Sequence, residues 1–479
     1  LPAIKKGPFQ QGRFFFLSLE KGKFLLFKER EYGKVKREKE RMGRDEEIHH
    51  FLNFLGKAPS PWHAVEEIKL ELVKLGYTAL EEGQLWSLTP GGKYFVARDG
   101  ASIAAFTLPL GKLDSALLLA AHTDSPSFKL RPNPQVSKEG VVFLGVEVYG
   151  HPIASSWLNR DLGIAGKVAF INAQGHFQSA LVNLDEHPCL FAQLPVHLDR
   201  KVNESGPTFH LENHLYLLAG LQEADSPPFL DTILKEKIGC QKLLAHDLFV
   251  YPLEKARRVG YQGQMIASYR LDNLASTYAA LRALADESEP LDTTLKMAIF
   301  WDHEEIGSGT SRGAESPFAH DLLERISFLL DLDQEEFFCL KRNALCLSLD
   351  MAHAYHPLYK DRYQGEHLVH LKKGPALKYH ANQRYATDVH SSALLLVVKE
   401  FNPVSLQSFV TRGDMPCGST IGPLFAAKTG IRTVDLGIPQ LSMHSAREVI
   451  AIQDYLTFKQ FIESALFNSE ELAKGQKNI

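Results

Sequence analysis

The stretch Ala116-Leu117-Leu118-Leu119-Ala120-Ala121-His122-Thr123-Asp124 decides the architecture. Its first six residues are all apolar, without the alternation of a half-exposed strand, so it reads as a strand covered on both faces. It ends on an imidazole, with a carboxylate two residues later. A similar, largely apolar texture returns at 295–301, before Asp302-His303-Glu304-Glu305, and at 344–349, before Asp350. A fourth strand-like run, 431–436, has His444 a short loop beyond it. Between these runs, Leu274, Tyr278, Leu281 and Leu284 recur at helical spacing over 273–286, and a helix rich in Ile, Leu and Phe closes the chain. Buried strands alternating with helices indicate an α/β fold.

Working outward, Ser60-Pro61 reads as a helix N-cap with proline in the first turn, and Gly76 as the stop signal. Residues 130–262 have a different texture. They carry Pro/Gly/Asn turns and short alternating runs such as Val141-Val142-Phe143-Leu144-Gly145-Val146-Glu147-Val148. That stretch is expected to be an inserted, mainly β domain, so the α/β domain would be discontinuous, spanning 42–129 and 263–479. A chain of 479 residues is too long for one simple core, which agrees. Residues 1–41 hold 12 Lys/Arg against 5 Asp/Glu; they are expected to be a disordered basic extension, with a membrane-surface or partner-binding arm as the sharper alternative.

Composition excludes several classes. The formal net charge of -4 argues against a general nucleic-acid binder, and no apolar run approaches the ~20 residues needed to span a bilayer. Five scattered cysteines without a C-x-x-C give neither a disulfide framework nor a cysteine–zinc site, and suit a reducing, cytoplasmic setting.

The strand ends carry the chemistry. His122, Asp272, Glu305, Asp350 and His444 are metal-ligand types, and α/β folds gather such residues at the carboxyl ends of their strands. Three carboxylates and a bridging hydroxide balance two divalent ions, so the set suits a metal pair. Imidazole and carboxylate donors suit Zn2+, with Mn2+ or Co2+ possible. Asp124 lies on the same side of an extended segment as His122 and can orient its ring. Glu304, beside Glu305, is the spare carboxylate that can act as a base.

These residues sit in strings that resemble the M18 (aspartyl aminopeptidase) family, and within it the bacterial type. The strings are Ala121-His122-Thr123-Asp124-Ser125-Pro126, Gly145-Val146-Glu147-Val148-Tyr149-Gly150, Arg270-Leu271-Asp272-Asn273-Leu274, Asp302-His303-Glu304-Glu305-Ile306-Gly307-Ser308, Asp350-Met351-Ala352-His353-Ala354, Asn382-Gln383-Arg384-Tyr385-Ala386, Met415-Pro416-Cys417-Gly418-Ser419-Thr420-Ile421-Gly422-Pro423 and Met443-His444-Ser445-Ala446-Arg447-Glu448. The resemblance implies a three-layer α/β/α catalytic domain with a mixed, largely parallel sheet, interrupted by a β-rich dimerisation domain. It implies an aminopeptidase with two zinc ions per subunit, Asp272 bridging them, His122 with Asp350 and Glu305 with His444 completing the two sites, and Glu304 as general base. It further implies His197 as a donor supplied by a neighbouring subunit, Lys378 as the cation that selects an N-terminal Asp or Glu, assisted by His353, a cis Asp272–Asn273 bond, and a twelve-subunit particle built from dimers. The chain departs from the family at Trp157-Leu158-Asn159-Arg160-Asp161-Leu162 and at Tyr149-Gly150-His151. The alternatives are preference for apolar N-terminal residues, a dinuclear carboxypeptidase or deacylase, distinguished by which peptide terminus must be free, and a metal-stabilised scaffold without activity.

Overall fold

The apolar run at 116–121 forms the middle of the strand Ser115–His122, whose residues are all buried. Its neighbours on both sides run parallel to it. They are Thr294–Trp301, where Trp301 pairs with His122, and Leu345–Leu349. Arg432–Gly437 extends the parallel set, with Leu436 opposite Leu349. Four consecutive parallel strands therefore end at one edge. Antiparallel strands flank them, Ser102–Thr107 on one side and Ala376–Tyr379 on the other, in a mixed sheet of nine.

Helices cover both faces, giving the expected α/β layering. Leu118, Ala120, Met297, Ile299 and Trp301 share a core with Phe318, Leu322, Phe337 and Phe425, from the helices Phe318–Leu329, Gln334–Asn343 and Ile421–Thr429. Alternate residues of the strands point the other way. There the helix Leu271–Asp286 packs, backed by Ile452–Phe467. Aromatic rings join this second layer: Phe51 stacks on Tyr455 at 4.4 Å and Phe54 on Tyr278 at 4.6 Å. The helix Pro61–Lys74 starts where Ser60 caps it, its side chain accepting from the His63 N–H, and the chain turns away through Gly76 at φ +82°.

Residues 127–252 supply a second, six-stranded sheet, in the order Phe177–Asn183, Leu162–Asn172, Cys240–Pro252, Ser127–Lys138, Val141–Tyr149, Tyr216–Leu221. It has its own apolar core, with Phe128, Trp157, Phe170, Phe191 and Leu217. A third, five-stranded sheet is assembled from distant segments, pairing Ser268 with Glu448 and His353 with Gln440. It holds the segments around Asp272 and His444 together.

The computed structural model describes residues 15–19, 23–27, 43–208, 210–221 and 228–477. Within the first 50 residues, Phe15–Leu19 and Lys23–Phe27 pair antiparallel, Phe15 opposite Phe27. The remainder of 1–41, with the disorder expected for it, lies outside the described residues. Among those described, no helix is long and apolar enough to cross a membrane, and the five cysteines form no disulfide.

Candidate active site

The edge where the parallel strands end gathers the residues that sequence placed at strand termini. The His122 Nδ1 lies 3.3 Å from Asp124 Oδ1 and 3.2 Å from the Asp124 carbonyl oxygen. Both neighbours accept, so Nδ1 is the nitrogen that keeps its proton, and Nε2 is the one turned toward the remaining carboxylates. Nε2 points at Asp272 Oδ1 (3.5 Å), Asp350 Oδ1 (3.6 Å) and Glu304 Oε2 (3.9 Å). His444 repeats the arrangement. Its Nδ1 donates to the His151 carbonyl at 3.1 Å, and its Nε2 lies 3.5 Å from both Asp272 Oδ2 and Glu305 Oε2. Asp272 thus presents one oxygen to each imidazole.

Backbone contacts fix these side chains. Asp272 sits at the start of its helix in non-helical conformation, and its peptide bond to Asn273 is cis. Its N–H donates to Glu448 Oε2 at 3.0 Å, while the His444 N–H donates to Glu448 Oε1 at 2.8 Å. One buried carboxylate therefore ties Asp272 to His444. Asp124 does the same for the tandem glutamates, accepting the Glu304 and Glu305 N–H groups on its two oxygens, each at 3.1 Å. Ser125 donates its hydroxyl to the Asp272 carbonyl at 2.6 Å.

The imidazole–carboxylate separations of 3.5–3.6 Å are too long for hydrogen bonds. They match two ligands of one ion: zinc bonds of ~2.0–2.1 Å in a tetrahedron set neighbouring donors about 3.3–3.4 Å apart. Asp272 Oδ1 and Glu305 Oε1 are buried with no hydrogen-bond partner among the described residues. Electrostatics agree. Burial pushes Glu304 up to about 8, with His122 opposing and Asp350, Asp124 and Asp272 reinforcing. Burial, reinforced by Asp272, pushes Glu305 well above the usual carboxylate range, and it pushes Glu448 up to about 8. Burial alone would lower His122, but Asp124, Asp272 and Asp350 hold it well above an ordinary imidazole. A buried cluster so rich in negative charge calls for cations, and its nitrogen and oxygen donors fit zinc.

The cluster lines one side of a cavity of about 320 Å³. Lys378 and His353 line the same cavity, with Tyr385. Lys378 is only 2% exposed; its Nζ lies 3.3 Å from Asp350 Oδ2 and 5.4 Å from the centre of the Tyr385 ring. His197 is not among the cavity residues and lies exposed in the segment between the strands Phe177–Asn183 and Tyr216–Leu221 of the six-stranded sheet.

Residues 54–465 match the family model described as Aminopeptidase I zinc metalloprotease (M18). The chain belongs to the M18 family. A probable M18 family aminopeptidase 2 of Stutzerimonas stutzeri (strain A1501) is 37% identical over 440 residues, covering 90% of this chain and all of that protein. Among solved structures, a chain of the Ape4 and Nbr1 complex superposes with a TM-score of 0.86 at 34% identity, covering 90% of this chain and 87% of the other. The S. cerevisiae mApe1 dodecamer gives a TM-score of 0.77 at 26% identity, over 90% and 98% of the two chains. An M18 chain is a metallopeptidase of the aminopeptidase kind.

Sequence reasoning missed two contributors. Glu448 closes the quoted string 443–448, yet nothing in its spacing marks a residue whose acceptors serve two backbone N–H groups. Tyr149, in the departing Tyr149-Gly150-His151 segment, donates its hydroxyl to Asp124 Oδ2 at 2.7 Å. A string quoted for family likeness gives no sign of such a contact.

Proposed function

We propose that this M18 protein is a dinuclear zinc aminopeptidase that releases an N-terminal Asp or Glu from unblocked peptides. The observation that carries the reading is Asp272, with an oxygen 3.5 Å from the Nε2 of His122 and the other 3.5 Å from the Nε2 of His444. A carboxylate so divided is suited to bridge two ions, one held also by His122 and Asp350, the other by His444 and Glu305. A bound zinc pair would supply polarisation of the scissile carbonyl and a more acidic attacking water. Glu304 accepts a proton from that water and passes it to the departing amine. Asp124 holds the His122 ring and the Glu304 backbone in place for this transfer. Lys378, buried at the cavity wall, receives the first residue's carboxylate, with His353 beside the same space.

His197 is exposed on its own chain, which suits donation to a second subunit's substrate. Assembly into dimers and then a dodecamer is proposed on the likeness to the mApe1 particle, and a cytoplasmic location on the unclustered cysteines. The test is one panel: elemental analysis of the purified protein, then hydrolysis of Asp-, Glu- and Leu-amides with and without chelator. Two zinc ions per chain and chelator-sensitive cleavage favouring Asp and Glu are expected. Faster cleavage of the Leu-amide overturns the acidic preference, and chelator-resistant cleavage overturns the metal mechanism.

A further inference from the structure

The chain segment that leaves the six-stranded sheet after the strand Val141–Tyr149 touches both halves of the cluster. Tyr149 is buried and donates its hydroxyl to Asp124 Oδ2 at 2.7 Å, on the carboxylate that orients His122 and accepts the Glu304 and Glu305 N–H groups. Its ring is fixed edge-on against Phe249 of the same sheet, centroids 5.0 Å apart. At Gly150 (φ +68°) a Cβ would lie 3.2 Å from both Glu305 Cβ and Pro126 Cα, so the backbone runs directly against Glu305. The His151 carbonyl accepts from His444 Nδ1 at 3.1 Å, and the Ile153 N–H donates to the His444 carbonyl at 2.8 Å. Five consecutive residues therefore hold the His122 side through Asp124, pack on Glu305, and grip His444 by ring and backbone.

We infer that residues 149–153 are a positioning strap through which the six-stranded sheet sets the geometry of the metal-ligand cluster, with Tyr149 as its key side chain. The inference rests on the dinuclear reading and extends it to a residue outside the ligand set. The physical reason is restraint. Asp124 serves an imidazole and two backbone N–H groups at once, and the Tyr149 hydroxyl is a further donor that fixes its plane. Remove the hydroxyl and Asp124 gains freedom to rotate, taking the His122 ring and the Glu304–Glu305 turn with it. On the other half, the His151 carbonyl selects the His444 tautomer that leaves Nε2 free to ligate.

The test is Tyr149→Phe, which keeps the ring packed on Phe249 and deletes one hydroxyl. Tyr251→Phe is the control. It removes a hydroxyl from the same sheet that donates to Asn183 Oδ1 at 2.6 Å. Cobalt(II) is titrated into each protein after chelation, reading affinity by competition and site geometry by the visible absorption spectrum, with thermal unfolding alongside. The strap predicts that Tyr149→Phe, which acts one contact further out than a direct partner of a ligating histidine, weakens cobalt binding about tenfold, the lower end of the range for such partners, and alters the spectrum. Tyr251→Phe keeps both at wild-type values. A Tyr149→Phe protein with wild-type affinity and spectrum overturns the inference while leaving the dinuclear reading intact. Equal losses in both variants also overturn it, because the effect would then be general loosening of the sheet. A wild-type protein that takes up no cobalt overturns the dinuclear reading, and the strap falls with it.

Discussion

The two imidazoles of the cluster present the same atom to the same carboxylate, yet they are placed by different means. His122 terminates a strand buried on both faces, its side chain 1% exposed, with its ring held by Asp124 two residues away. His444 lies on a loop in left-handed conformation, φ +64°, its side chain 27% exposed, held by Glu448 and by the carbonyl of His151, on the loop that follows the strand Val141–Tyr149. The first is positioned by the central sheet itself. The second depends on contacts between segments nearly 300 residues apart in sequence. One half of the site is therefore expected to be rigid, and the other to exchange its ion more readily and to accommodate substrate.

The largest expected effect falls on the rigid side. Glu304→Gln removes the proposed base and should lower kcat on an Asp-amide about 10²–10⁴-fold while metal content stays at the wild-type level. A loss under tenfold would take the base role away from Glu304. Next, Lys378→Ala should reduce kcat/KM on the Asp-amide about 10–100-fold more than on the Leu-amide, the cost of one charged hydrogen bond. Equal losses on both substrates would show that Lys378 supports Asp350 rather than selecting the substrate. The comparison itself is sharpened by graded chelation followed by elemental analysis. Release should occur in two steps at least about tenfold apart in chelator concentration, the size of effect expected for looser outer contacts, with the weaker step missing in His444→Ala. Release in a single step would mean that the two halves are equivalent. The smallest effect is structural. Gly150→Ala forces a side chain into the left-handed region against Pro126 and Glu305, and should cost about 1–2 kcal/mol in urea unfolding.

The same contrast explains what could be read from sequence. His122, Glu304, Glu305 and Asp350 are legible because each follows a largely apolar run, unbroken before His122 and interrupted only by Lys296 and Ser348 in the other two, the mark of a strand covered on both faces. His444 lies further from its parallel strand, because the short strand Pro439–Leu441 intervenes between it and Arg432–Gly437. The strand Ala376–Tyr379, which carries Lys378, is only four residues long and includes the lysine itself, so periodicity does not reveal it. Without the family likeness that lysine would be placed in solvent; it is buried because Asp350 and the Tyr385 ring compensate its charge. Glu448 and Tyr149 act through partners far away in the chain, and local pattern contains no trace of such pairings.

The central claim is that Asp272 lies between two metal ions. Anomalous diffraction from zinc-loaded crystals, recorded on both sides of the zinc edge, tests it most directly. The account predicts two peaks per chain, one beside His122 and Asp350, the other beside His444 and Glu305, with an Asp272 oxygen within bonding distance of each. A single peak, or two peaks that do not share Asp272, would contradict it.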